Sequence, residues 1–354
     1  MKAAADNPAV TVLMPVYNGE EHLGEAIDSI LGQTFQDFEL LAMDDGSMDR
    51  SRAIIRSYGD SRIRLVENEK NIGQTATLNR GLDLARGCWI ARADQDDICL
   101  PRRLETQAAF LEKNPCFAAV GSRVIEIDRS GKVKRKLKVP TYEARIRLRL
   151  VTENPFAHSA VMYSAEVARD LGGYDTGYYF IEDWELWSRM LAKGHRITNL
   201  PEYLIKYRRY GESSTNRYFA ERRHEEIPRL IGRSLKELAG IDLTEEEVSL
   251  FYQARYLPQK ISSEKVDQAL ELCQGIIGKL ENRYSSRTER RELGHLEGFL
   301  SLHLAFAARR VGKMALARSI YGGMIRRGQS PLASISRYAA TYFGGRLWSK
   351  LSGE

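Results

Sequence analysis

Cysteine is scarce: four residues in 354, none of them in a C-x-x-C spacing, so neither a disulfide framework nor a zinc cage organises the chain. Cys88, Cys99, Cys116 and Cys273 are expected to be reduced core residues. Long apolar runs are also missing, and nothing approaches the ~18 consecutive apolar residues that a membrane-spanning helix needs. At the N-terminus one lysine precedes small and polar residues, and the first apolar run is interrupted at Pro15, which is not the pattern of a secretory signal. The expected location is cytoplasmic. No G-x-G-x-x-G follows the first apolar run and no G-x-x-x-x-G-K-[ST] occurs, which excludes the usual dinucleotide and P-loop sites. Zinc-finger spacing and an aromatic RNA-binding signature are absent as well, so nucleic acid is not an expected partner.

What is present is an ordinary globular composition, 43% hydrophobic and 28% charged, in a chain long enough for one large domain with an appendage or for two domains. The net charge of +6 is unevenly spread. Residues 301–354 hold nine Lys/Arg and one acid, a net of +8, which leaves about −2 (6 − 8) for the first 300.

Apolar β-rich runs alternate with helical periodicity along the first hundred residues. Val10 to Val16, Phe38 to Met43, Ile63 to Val66 and Cys88 to Ala93 read as strands. Between them, Leu23, Ile27, Ile30 and Leu31, then Ala53 to Ile55 with Ser47 as a plausible N-cap, then Leu78, Leu82 and Ala85 mark helices. Such alternation predicts an α/β fold with a mostly parallel sheet covered by helices on both faces. Ligands of such sheets bind beyond the carboxyl ends of the strands, where this sequence places Tyr17-Asn18, Asp44-Asp45 and the acids Asp94, Asp96 and Asp97.

The last of these clusters is the most informative. In extended chain Asp94 and Asp96 would point to one side, a repulsive arrangement that a cation would relieve. Oxygen-only ligands suit Mg²⁺ or Mn²⁺, which draws its remaining ligands from water and substrate phosphates. Taken alone, so short a pattern as D-x-D is more often a solvated acidic turn, here before the helix that follows Pro101.

The runs VLMPVYNGE, LLAMDDGSMD and NIGQTATLNRGLDLARGCWIARADQDDICLPRRLETQ together resemble the inverting glycosyltransferases of family 2, from Val10 to about Gln107. The resemblance implies a GT-A fold, a Rossmann-like sheet flanked by helices. It further implies that Pro15, Tyr17, Asn18 and Asp45 meet the base and ribose of a nucleoside-diphosphate sugar, that Asn71 and Gly73 lie beside the nucleotide, and that Asp94 and Asp96 hold the metal on the diphosphate. In YYFIEDWELWSRM the family's E-D pair falls on Glu182 and Asp183, which implies Asp183 as catalytic base on the acceptor side. Without the resemblance those two acids would merely complement a helix dipole. His158 and Trp184 are acceptor-side candidates or core residues. Many family members carry histidine where this chain has Tyr210, which leaves a third metal ligand open; Arg208 or Arg209 could neutralise the leaving group or be ordinary surface arginines.

Residues 1–216 are thus expected to form the catalytic domain and 217–354 a helical C-terminal region without chemistry of its own, basic from about 301. The lysine-rich stretch GKVKRKLKV reads as a solvated hairpin arm or a contact for an anionic acceptor. The basic tail, with Tyr338, Tyr342, Phe343, Leu347, Trp348 and Leu351, either packs on the protein or rests on an anionic membrane surface. The implied reaction moves a sugar, UDP-linked by family habit, to a hydroxyl of a glycan or lipid-linked acceptor with inversion. A non-catalytic nucleotide-sugar-binding or membrane-scaffold protein on the same fold is the alternative, and a nucleotidyltransferase a third, disfavoured by the missing glycine-rich, lysine-containing loop.

Overall fold

In the computed structural model residues 7–179, 181–209, 223–284 and 286–326 are described. Tyr210 and the tail aromatics from Tyr338 to Trp348, with Leu351, lie outside them. The chain divides into two compact units, Met1–Glu226 and Ile227–Glu354.

The first unit is built on one nine-stranded sheet. Strands β1 (Val10–Val16), β2 (Phe38–Asp44), β3 (Ile63–Glu67) and β4 (Trp89–Arg92) run parallel, with β1 between β2 and β4 and β3 outside β2. Helices α1 (Leu23–Leu31), α2 (Ser51–Ser57) and α3 (Gln74–Leu84) make the crossovers. Beyond β4 the sheet is mixed. It continues through β8 (Met162–Ser164), β6 (Phe117–Ile127), β9 (Arg196–Arg208) and β5 (Ile98–Cys99), while β7 (Val133–Leu137) pairs with β6. The β4–β8, β6–β8, β6–β7 and β5–β9 pairs are antiparallel and β6–β9 is parallel. Parallel pairing thus holds for the N-terminal half, where each strand returns through a helix. Helices α4 (Arg103–Lys113), α5 (Glu143–Leu150), α6 (Ala165–Asp170) and α7 (Glu182–Ala192) complete the unit.

β1 and β2 are almost wholly buried, as near-continuous apolar runs in a sheet covered on both faces should be. Val12, Met14, Ile27, Ile30, Leu40 and Ala91 meet in the principal core cluster.

Local details depart from the sequence reading in identifiable ways. Ser47 does not cap α2, which begins four residues later; its hydroxyl instead accepts the Asn18 amide at 3.0 Å. The runs 117–121 and 124–128 form one strand, whose register against β9 shifts around Arg123. Only Cys99 and Cys273 are buried; Cys88 and Cys116 are exposed, and all four are free thiols.

The second unit is helical: α8 (Arg223–Ala239), α9 (Glu245–Tyr256), α10 (Val266–Arg283), α11 (Arg287–Arg310) and α12 (Met314–Arg326). Capping boxes at Thr244 and Ser286 start α9 and α11. Gly312, at φ 83°, makes the turn of the α11–α12 hairpin. No described helix is long and apolar enough to cross a membrane.

Gly46 shows how tightly the strand ends are packed. Its φ is +77°, and a Cβ there would lie 2.7 Å from the backbone nitrogen of Asn71 and from the carbonyl carbon of Lys70. Gly46→Ala is therefore expected to lower unfolding free energy by about 1–3 kcal/mol, from φ strain and a backbone clash together. Chemical denaturation of the two proteins measures it; an unchanged midpoint would contradict the packing described.

Candidate active site

The carboxyl ends of β1, β2 and β4 meet through side chains bonded to backbone. Asn18 adopts φ 48°, and its Oδ1 accepts the Met48 amide at 2.9 Å while Gly19 N–H donates to Ser51 Oγ at 2.9 Å. These bonds lock the β1 end to the loop after β2. Tyr17, exposed at the β1 end, is paired through its backbone with the Gln95 side chain: its N–H donates to Gln95 Oε1 at 2.9 Å, and Gln95 Nε2 donates to its carbonyl at 3.2 Å. Pro15 is partly buried next to it on β1.

Asp45 is buried and spends its carboxylate on the chain. Oδ1 accepts from Ile72 N–H and Asn68 Nδ2, each at 2.8 Å, and Oδ2 accepts from Gly73 N–H at 3.0 Å. The Asn71–Gly73 segment is therefore held by the β2 end. Asn71 itself is exposed, and its Oδ1 also accepts the Gly73 amide at 3.1 Å. Gly73 has φ 91°, and a Cβ on it would lie 3.2 Å from Tyr179 Cε2.

Asp94 and Asp96 sit in a turn rather than in extended chain, because Asp97 N–H reaches back to the Asp94 carbonyl at 3.4 Å. Asp94 is 30% exposed and its Oδ1 accepts from Arg92 Nη2 at 2.7 Å. Arg92 was not singled out in the sequence, yet it is the most telling residue here. It is fully buried, donates to the Ala93 carbonyl as well, and leaves its Nε without a partner. Asp97 is structural. Its buried carboxylate accepts from Ser159 Oγ and, at 2.7 Å, from Arg208 N–H, and burial beside Asp94 and Asp96 pushes its pKa well up. Arg208 is committed in the same way, donating to the carbonyls of Asp96 (2.8 Å), Asp128 (3.2 Å) and Arg129 (2.8 Å) and pairing with Glu25. It is not a surface arginine.

Glu182 and Asp183 open α7 and are both buried. Asp183 Oδ2 accepts from Asn154 Nδ2 at 2.7 Å and Oδ1 from the Trp184 amide at 2.7 Å. Glu182 Oε1 accepts from Gln74 Nε2 at 2.8 Å, whereas Oε2 is buried without a hydrogen-bond partner. Thr75 Oγ1 lies 3.2 Å from the Tyr178 carbonyl, to which it donates. The first turn of α3, which continues the Asn71–Gly73 segment, thus grips the start of the helix that carries the acid pair. His158 Nε2 meets Tyr174 Oη at 3.0 Å, and its Nδ1 is 3.8 Å from Glu182 Oε1. Trp184 is a core residue, buried with its indole N–H donating to the Leu150 carbonyl at 2.8 Å. Tyr163, Tyr174, Trp187 and His158 form an edge-on aromatic cluster next to it.

Burial is the main electrostatic force on these groups. It raises the Glu182 carboxyl from 4.5 to about 8, with the neighbouring Asp183 charge adding to it. Burial also raises Asp183, to about 6, opposed by its bonds from Trp184 and Asn154 and by the Arg92 charge. The His158 imidazole is pushed well down by burial and then by Arg92, so it is neutral.

Among the described residues no group of three His, Cys, Asp or Glu side chains could cage a metal. Two carboxylates in one turn, one of them a third exposed, do fit a hard divalent ion that completes its sphere with water and substrate phosphate.

The profile of glycosyl transferase family 2 matches residues 11–172. EpsE, a Bacillus subtilis protein named as a glycosyltransferase, is 37% identical over 217 residues, which are 60% of this chain and 77% of EpsE. The chain belongs to family 2. Two further relatives of this glycosyltransferase are the amylovoran biosynthesis glycosyltransferase AmsE of Erwinia amylovora, 34% identical over 56% of this chain and 75% of its own, and the Escherichia coli β-1,3-glucosyltransferase WfgD, 30% identical over 61% and 83%. The crystal structure of S. aureus TarS residues 1–349 superposes with a TM-score of 0.57 over 90% of this chain and 92% of that one at 17% identity, a likeness of fold. The glycosyltransferase has the GT-A fold, α/β with C-terminal helices.

Sequence reasoning missed Arg92, Gln74 and Asn154 as the partners of the acids. For Arg92 and Gln74 the only signal was their presence inside a quoted motif, and for Asn154 there was none.

A buried acid whose pKa is raised on folding binds a proton that the unfolded chain has released. Through Glu182, stability should fall as pH rises from about 4.5 to about 8, by at most about 1.4 kcal/mol per pH unit. Glu182→Gln should remove that slope and unfold at higher denaturant than wild type at pH 8, which denaturation series at several pH values would test.

Proposed function

We propose that the protein transfers a sugar from a nucleoside-diphosphate sugar, with UDP the first candidate, to an acceptor hydroxyl by single displacement with inversion, in the assembly of a polysaccharide or lipid-linked glycan. The observation that carries this reading is the buried Asp183 carboxylate, held by Asn154 and the Trp184 amide on a helix that the Gln74–Thr75 turn joins to the Asn71–Gly73 segment. The relatives support it: AmsE is named for amylovoran biosynthesis, and WfgD for a UDP-Glc donor and a diphosphoundecaprenol-linked acceptor. TarS was crystallised with UDP-GlcNAc.

In this reading Pro15, Tyr17, Asn18, Asn71 and Gly73 border the base and ribose, and Asp45 acts by holding the segment that carries two of them. Asp94 and Asp96 would hold Mg²⁺ or Mn²⁺, which supplies positive charge to the departing diphosphate. Arg92 fixes one oxygen of Asp94 from below, leaving the other to face the ligand. Asp183 takes the acceptor proton as the new bond forms. Burial raises the pKa of both carboxyls of the Glu182–Asp183 pair, and the bonds from Asn154 and the Trp184 amide favour the charged form of Asp183, as a base requires. His158 and Glu182, 3.8 Å apart, are the proposed acceptor-side neighbours of that carboxylate, and Trp184 anchors the helix start through Leu150.

Residues 1–216 are proposed as the catalytic domain and 217–354 as a helical region without chemistry of its own. A cytoplasmic enzyme held at the membrane face would suit a lipid-linked acceptor, and the basic tail from about 301 is a proposed contact. Donor turnover separates this reading from a non-catalytic sugar-nucleotide binder.

Asp183→Asn should lower kcat by ~10²- to 10⁴-fold with donor affinity nearly unchanged. For wild type, kcat should fall below about pH 6 as that carboxylate takes up its proton. Steady-state transfer assays across pH test both; a dead Glu182→Gln beside an active Asp183→Asn would reverse the assignment. Asp96→Ala should abolish divalent-ion stimulation of transfer while the variant remains folded, and full wild-type turnover in excess chelator, with metal-free protein confirmed by elemental analysis, would remove the metal from the reading.

A further inference from the structure

The β6–β7 hairpin has two unlike faces. On one, Glu126 pairs with Arg135 at 2.9 Å and lies 3.9 Å from Arg209, so charge is matched by charge. On the other, Lys136 and Lys138 keep the two-residue period of strand side chains, Lys134 lies where the register against β6 shifts, and all three are exposed. Lys136 stands opposite Ile125, which pairs in turn with Lys206 on β9. Arg123, two residues before Ile125, lies with its guanidinium 5.9 Å from the centre of the Tyr203 ring, and Lys136 Nζ lies 5.4 Å from the same ring. Two cations therefore flank Tyr203, and Lys134, Lys138 and Lys206 add three more along the same strands.

None of the five forms an ion pair among the described residues. The acid that comes nearest is Asp128 in the hairpin turn, whose carboxylate feels Lys134 but is bonded to the Ser130 hydroxyl and the Lys132 amide. This patch belongs to the part of the chain whose net charge is about −2 (6 − 8), so it is a local concentration and not a sample of an overall basic surface. Lysines on an edge strand do discourage strand pairing. That purpose asks for charge at the edge, not for like charges on one face at a cost in mutual repulsion.

We infer that this face of the hairpin is a surface by which the enzyme lies on an anionic lipid bilayer. The proposal rests on the lipid-linked acceptor reading for its purpose, although the charge arrangement stands without it. Lys134 to Lys138 spread over about 13 Å at strand spacing, enough to meet several headgroups rather than one phosphate. Exposed apolar groups precede and follow the row in sequence, Val133 at 53% exposure and Tyr142, four residues past Lys138, at 67%. Cations flanked by such groups suit the headgroup boundary, where aliphatic and tyrosine side chains enter and lysines meet lipid phosphate. A linear anionic glycan would need the lysines but not the apolar ends.

The test is flotation of the full-length protein with vesicles of phosphatidylcholine containing about 30% phosphatidylglycerol, at about 0.05 M and about 0.5 M salt. Wild type should bind at low salt and release at high salt. The K134Q/K136Q/K138Q variant should bind at least about tenfold more weakly, since each lysine near an anionic surface contributes on the order of fivefold. Its transfer to a water-soluble acceptor should be unchanged. Vesicle binding equal to wild type overturns the proposal and leaves any membrane contact to the tail. Normal vesicle binding with loss of transfer to a polyanionic acceptor overturns it in favour of a glycan track. No binding by wild type overturns it outright. Because flotation needs neither donor nor acceptor, failure here and failure of the catalytic reading are separate results.

Discussion

Everything at the ligand end of this sheet hangs on a buried carboxylate whose partners are mostly backbone. Asp45 takes the amides of Ile72 and Gly73 and the side-chain amide of Asn68, so the β2 end sets where the chain re-enters α3. The first turn of α3 then sets where α7 begins, through Gln74 and Thr75. A carboxylate in the interior must be fully hydrogen-bonded to be tolerated, and amide donors in a fixed loop meet that need with little freedom to rearrange. The loop and the acid therefore define each other. The Asn71–Gly73 segment and the start of α7, more than a hundred residues apart, are thereby tied together.

Arg92 works in the opposite sense. It is a cation without exposure, and its one carboxylate partner is itself partly open to solvent. Its field acts on Asp183 as well as on His158, lowering the pKa of each. Asp94 at the β4 end and the acid pair that opens α7 thus share one buried counter-charge, since Arg92 favours the charged form of Glu182 as well.

The sheet's parallel half was legible because each strand there is a run of apolar, β-branched residues closed by a polar turn, and each return is an amphipathic helix. The mixed half was not, since β6 and β8 carry no periodicity that separates antiparallel from parallel pairing, and the continuity of β6 through Ser122 and Arg123 depends on a register shift against β9. The acids stood out in the sequence because carboxylates at strand ends are costly. Their partners did not, because Gln74, Asn154 and Arg92 acquire their meaning only when folding brings them within 3 Å of an acid, whether 108, 29 or 2 residues away. Ser47 illustrates the limit: its hydroxyl could cap a helix or hold a distant loop, and only the three-dimensional position of Asn18 decides between them.

Arg208 carries one more consequence, for the order in which the protein is completed during synthesis. It fastens the Asp96–Asp97 turn from 111 and 112 residues downstream, and its guanidinium reaches Glu25 of α1 from 183 residues away. A nascent chain can pair β1, β2 and β4 as soon as they leave the ribosome, yet the turn bearing the two carboxylates lacks its fastener until β9 has emerged. Asp97 meanwhile has neither the Arg208 amide nor, before residue 159 appears, the Ser159 hydroxyl. The acidic turn is consequently finished late, after most of the sheet, and a chain truncated before β9 would carry the family's recognisable sequence without a settled site.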